Sequence, residues 1–186
     1  MKSVNHKQLA SHLWDRFLGA STGLSRRAFL FGCVEPDLNP FTYLKGSFRN
    51  RMLKGHNFGS ADRCLARMAD RLQREHRWNL LKYYQLGKLM HYLSDAFTAA
   101  HNEFFTGSIR EHRCYEFRLN DVFPDYLIRE TVPVPDPMPS VSRAIFRLHS
   151  SYCDEPRSVR TDARFILEAT ESAMRALLPL PAVQPA

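Results

Sequence analysis

The chain has 186 residues, 44% of them apolar and 24% charged, which is enough length and ordinary enough composition for one domain with its own buried core. No run of 18 or more apolar residues occurs, so no membrane-spanning helix is expected. The formal charge of +7 favours anionic partners such as phosphoesters, lipid headgroups or nucleic acid, without choosing among them.

From the N-terminus, Leu9, Leu13 and Phe17 recur every four residues beside Trp14 and Leu18. That spacing predicts an amphipathic helix over 4–18, with Asn5 as its cap and His6 in its first turn. The first residues lack the apolar stretch of a secretory signal, so a cytoplasmic protein is expected. A turn-rich connection follows, then a short helix capped by Ser25, loosened at Gly32 and left at Glu35-Pro36-Asp37. Residues 38–59 lack periodicity and are broken by Asn39-Pro40, Gly46, Gly55 and Gly59, which predicts mostly loop. His56 lies in that loop.

Ser60 is the expected cap of a helix to about Gln73, and Asn79 the cap of a central helix to about Phe104, apolar on several sides. Ser108 and Glu111 stand in capping-box spacing before a further helix. Asn120 and Pro124 suggest a break in it. The alternating prolines of 131–139 predict an extended connector, Ser140 opens another helix, and a last one covers 158–178. The tail, 179–186, is expected to be disordered. The fold class is all-α: a multi-helix bundle in a single domain over 1–178. The four cysteines are scattered, with no Cys-x-x-Cys, and are expected to be reduced, packed residues.

The informative stretch is His91, Asp95, His101, His112 and Glu116, five potential metal ligands within 26 residues. His91/Asp95 and His112/Glu116 are each four apart, which stacks both side chains on one helical face. Imidazole with carboxylate and no thiolate suits a zinc centre with an open position, buried in a multi-helix bundle. A salt-bridged helix pair accommodates one such couple easily, but accounts poorly for two with a fifth ligand between them.

This pattern, His-x3-Asp-x5-His followed by His-x3-Glu, resembles the zinc-dependent phospholipase C family, which shares its helical fold with the fungal-type single-strand nucleases. The resemblance runs from about residue 5 to about residue 120. It implies further ligands at His6, Asp37 and His56. His12 is the rival N-terminal histidine, and helical phase favours His6. The resemblance implies two to three zinc ions: one held by Asp37, His56, His91 and Asp95, a second by His101, His112 and Glu116, and a third at His6 that Asp95 bridges. It implies phosphodiester hydrolysis, with Asp37 as a catalytic group that orients or deprotonates water. The expected partner is a phosphoester, with phospholipid and peripheral membrane contact favoured over nucleic acid. The alternatives are a nuclease-type phosphoesterase and a non-catalytic zinc-binding protein. Secreted family members use an N-terminal Trp as a ligand, and this chain has no Trp at its start.

Overall fold

The computed structural model describes residues 1–19, 23–38, 58–129 and 140–178, with side chains given outside 58–62 and Arg129. His56, the proline-alternating connector and the C-terminal tail lie outside the described residues. Within them the chain forms seven α-helices and no strand: α1 (Ser3–Leu18), α2 (Leu24–Leu38), α3 (Phe58–Gln73), α4 (Leu80–Ala96), α5 (Ile109–Arg129), α6 (Val141–Asp154) and α7 (Val159–Leu177). The all-α expectation holds.

α4 is the hub. Leu86, Leu89, Met90 and Leu93 are fully buried, and the helix contacts α1, α2, α3 and α7. The pairing of α2 with α4 is the most extensive, and it depends on two glycines. A Cβ on Gly32 would sit 2.2 Å from the Tyr84 carbonyl oxygen, and one on Gly87 would sit 2.2 Å from that of Phe29. With both Cβ atoms missing, the two backbones touch.

That contact overturns the expected exit at Glu35-Pro36-Asp37. α2 continues to Leu38 with Pro36 inside it. Proline in a helix removes one internal hydrogen bond, and the packing against α4 outweighs that local loss. Gly32 is thus a point of close approach inside α2, and Ser25 is an internal residue of it. Pro124 is likewise accommodated within α5, where Leu119 and Phe123 are fully buried. The expected break at Asn120 and Pro124 does not occur.

The caps divide. Asn79 and Ser140 accept from the backbone N–H of Lys82 and Arg143, as expected, and Ser158 accepts from that of Thr161. The Ser108–Glu111 box is complete: the Glu111 N–H donates to Ser108 Oγ at 3.3 Å, and the Ser108 N–H donates to Glu111 Oε2 at 2.7 Å. Asn5 is not a cap. α1 begins at Ser3, and Asn5 is buried inside it, with neither side-chain polar atom hydrogen-bonded among the described residues. α3 begins at Phe58, ahead of Ser60.

The largest correction concerns α4, which stops at Ala96 rather than near Phe104. A short 3-10 turn, Ala99–His101, follows it. Specific partners hold the chain out of the helix. The Asn102 amide donates to the carbonyls of Ala96 and Thr98, and Asp162 of α7 accepts the Ala99 N–H at 2.7 Å. All four cysteines are free, as expected, but only Cys33 is buried, while Cys64 and Cys114 are exposed.

Candidate metal centre

Asp95, in the last turn of α4, is 2% exposed and lies between two groups of ligand atoms. The first group is His6, His91 and Asp95. His6 Nε2 lies 3.3 Å from Asp95 Oδ1, and His91 Nε2 lies 3.3 Å from Oδ2. Bonds of about 2.1 Å in a tetrahedron set ligand atoms about 3.4 Å apart, so these separations suit a shared zinc ion.

The groups behind the rings fix their tautomers. His91 Nδ1 donates to the Cys33 carbonyl at 2.9 Å. His6 Nδ1 lies 3.0 Å from Ser94 Oγ, whose own proton goes to the His91 carbonyl. Ser94 therefore accepts from His6, and both imidazoles turn Nε2 towards the carboxylate. Anchoring one ring nitrogen to present the other is the usual support of a metal-bound histidine. His6 Nε2 is buried and has no hydrogen-bond partner among the described residues.

The second group is His101, His112 and Glu116. Glu116 Oε1 lies 3.7 Å from His101 Nε2 and 3.5 Å from His112 Nε2. His112 and Glu116 come from the first turns of α5, where the capping box positions them, and His101 comes from the 3-10 turn. His101 Nδ1, also without a partner, lies 3.9 Å from Asp95 Oδ2, which links the two groups. Within each group the ligand atoms are all within 4.8 Å of one another.

Asp37 joins the first group from α2. Its Oδ1 is 3.7 Å from His91 Nε2, its Oδ2 is 3.9 Å from His6 Nε2, and it accepts from the Ser3 hydroxyl at 2.6 Å. His12 faces elsewhere: its Nε2 lies 3.1 Å from Glu171, which also pairs with Arg16. Of the two N-terminal histidines, the structure brings His6 to the cluster. Seven of the eight ligands expected from the sequence converge; His56 lies outside the described residues.

One group was missed. The Met1 amino group donates to Asp95 Oδ1 at 2.7 Å and to His101 Nε2 at 2.9 Å, and lies 3.4 Å from Glu116 Oε1. The one signal for it was the use of an N-terminal residue as a ligand in the family resembled, which the lack of a Trp at the start of this chain set aside. Burial disfavours its charge, but Asp95 and then Glu116 override that and raise its pKa. The donors thus converge on a positive charge, as they would on a metal cation.

The electrostatics fit a cation site. Burial opposes ionisation of Asp95, yet the Met1 amine, then His101, His6 and His91, hold its carboxyl well below the usual range. Glu116 is lowered too, because the neighbouring His101 and His112 and the Met1 amine overcome its burial. Burial, then the neighbouring His91, holds His6 down to about 4. A His6 imidazole kept neutral beside the ionised Asp95 carboxylate is in the protonation state that binds metal.

Fold and site together define an all-helical protein with two His/carboxylate groups sharing one aspartate. The zinc-dependent phospholipase C family model matches residues 5–159. The chain therefore belongs to that family, whose fold is all-α and whose members are zinc-dependent. No curated protein and no solved structure matches it.

Proposed function

We propose that the protein is a zinc-dependent phosphodiester hydrolase acting on a phospholipid or a related phosphoester. The observation that carries this reading is Asp95, whose two oxygens face His6 and His91 in one group and His101 in the next. His6, Asp37, His91 and Asp95 would hold zinc in the first group, joined by His56 through the family pattern, and His101, His112 and Glu116 in the second. Zinc bound there supplies Lewis acidity to a phosphoryl oxygen and lowers the pKa of water.

The chain's own groups supply the rest. Asp95 and Glu116 bring the negative charge that balances the cations. The side chain of Asp37 is 19% exposed, against 3% for Asp95, so water reaches it and a proton can pass to its carboxylate. The second group opens outward: His112 is 32% exposed, and Phe105 lies edge-on to its ring. Ile109, one turn before His112, and Phe117, next to Glu116, are exposed apolar residues beside it. Lys2 stacks its ammonium on Phe117. An apolar and cationic rim suits a substrate with a phosphate and an acyl chain, which supports phospholipid ahead of nucleic acid.

The test is elemental zinc analysis together with hydrolysis of a chromogenic phosphodiester. Phosphatidylcholine vesicles and single-stranded DNA are then run as competing substrates. Two to three zincs per chain with vesicle hydrolysis are expected. Faster cleavage of DNA would move the protein to the nuclease alternative. Zinc without hydrolysis would make it a metal-binding protein only, and no zinc uptake at neutral pH would sink the reading.

A further inference from the structure

Asp162 lies on α7, beyond residue 159 where the family match ends. It is fully buried and accepts three hydrogen bonds. Oδ2 takes the Ala99 N–H at 2.7 Å and the Tyr115 hydroxyl at 2.7 Å, and Oδ1 takes the Tyr152 hydroxyl at 2.8 Å. Each donor belongs to a different element. Ala99 opens the 3-10 turn that carries His101. Tyr115 is the neighbour of Glu116 and stands on α5 with His112. Tyr152 is on α6 and fully buried.

We propose that Asp162 is a positioning residue for the second metal group, one carboxylate that sets His101 against His112 and Glu116. The inference rests on the metal reading above. Its physical basis is that these three ligands come from two elements with no fixed register between them. His101 follows the end of α4, and α5 starts afresh after residues 102–108. A ligand set spanning such a joint keeps its spacing only if something holds both sides. Asp162 binds the backbone on one side and a side chain adjacent to a ligand on the other. In the first group the ties act on the rings themselves: Ser94 accepts from His6, and the Cys33 carbonyl accepts from His91.

The joint has a second tie that points the same way. Asn102, the residue after His101, accepts from His149 Nε2 at 2.9 Å while its amide holds the Ala96 and Thr98 carbonyls. Asp162 fixes the start of the turn and Asn102 fixes its end, with His101 between them. Only the Asp162 tie also reaches α5, so it is the one that sets the ligands against one another.

The test uses Asp162→Leu, which keeps the branched shape and removes both acceptor oxygens. Tyr115→Phe is the milder companion, should the first variant fold poorly. Thr170→Val is the control: it removes another buried hydrogen bond of α7, to Ile166, remote from the joint. Two readouts are taken. Zinc affinity is measured by chelator competition, with the second-group ion assigned by its loss in His112→Asn. Amide hydrogen exchange is followed over residues 97–117 in metal-free protein.

Asp162→Leu is expected to weaken the second-group ion about 10–100-fold, the range for lost groups behind a metal ligand. The first-group ion should be unchanged, and exchange should quicken within 97–117 alone. Thr170→Val should leave both affinities intact. Equal weakening of both ions, or faster exchange throughout the chain, would make Asp162 an ordinary core residue and overturn the proposal. Unchanged affinity and exchange would overturn it as well. If the unaltered protein takes up no zinc, the metal reading fails, and exchange within 97–117 still decides whether Asp162 holds the joint.

Discussion

His6 and His91 stack ring on ring, with centroids 4.0 Å apart and planes inclined by 23°. One ring comes from α1 and the other from α4, 85 residues later in the chain. Each is tied back through Nδ1, to Ser94 and to the Cys33 carbonyl, so both present Nε2 to Asp95. The stack brings two imidazoles and one ionised carboxylate together inside the core.

Replacing Asp95 by Asn removes the charge shared by both groups. Zinc content should fall by at least one ion per chain. Hydrolysis of a phosphodiester should fall by more than about 100-fold, since metal stabilisation of the transition state is worth several kcal/mol. Elemental analysis beside initial rates checks this, and full zinc content in the variant would contradict it.

The two N-terminal histidines should separate cleanly. His6→Ala should lower zinc content. His12→Ala should leave zinc in place and lower stability by about 1–3 kcal/mol, because Glu171 is 1% exposed and loses its imidazole partner. Metal analysis and urea unfolding of both variants distinguish a ligand from a buried ion-pair member.

Bound zinc should stabilise the fold by mass action. At free zinc 100 times the dissociation constant, the gain is about 2.7 kcal/mol. Adding a chelator should therefore lower the unfolding temperature, and the drop should shrink in His6→Ala. Calorimetry with and without chelator provides the measurement.

Gly87→Ala should destabilise the protein by about 1–3 kcal/mol, since its Cβ would press on the Phe29 carbonyl and the Cys33 N–H. α2 supplies Asp37 and the carbonyl that orients His91, so forcing it off α4 should also weaken first-group zinc. Thermal unfolding and zinc titration of the variant check the two effects together.

The metal-free protein should lose stability as pH falls from 6.5 towards 4. Burial, partly offset by a bond to the Ala96 backbone, holds His149 down to about 4 from its ordinary 6.5. A base lowered on folding takes up its proton first in the unfolded chain, so its contribution is full above 6.5 and is lost as pH drops through that window. His149→Gln, which keeps a donor for Asn102, should remove about 2 kcal/mol of the loss between pH 7 and pH 4.5. Urea unfolding at both pH values tests the sign and the size.

The sequence by itself determined the helical class, half of the expected caps and the ligand pairs on single helices. His91/Asp95 and His112/Glu116 were legible because four-residue spacing on a helix is a local fact. Asn79, Ser140 and the Ser108–Glu111 box were legible because a cap acts within one turn. Only the tertiary structure decided where α2 and α4 end. Pro36 and Pro124 look like breaks until the packing of α2 on α4 and the buried face of α5 outweigh the one hydrogen bond each proline removes. His101 reads as helical until Asp162 and Asn102, distant or out of phase in sequence, take over the polar groups of the backbone there. Helical phase already favoured His6 over His12, but the tautomers of His6 and His91 and the place of the Met1 amine depend on contacts between segments far apart in the chain. Helical periodicity carries information about a segment's own faces and none about what those faces meet.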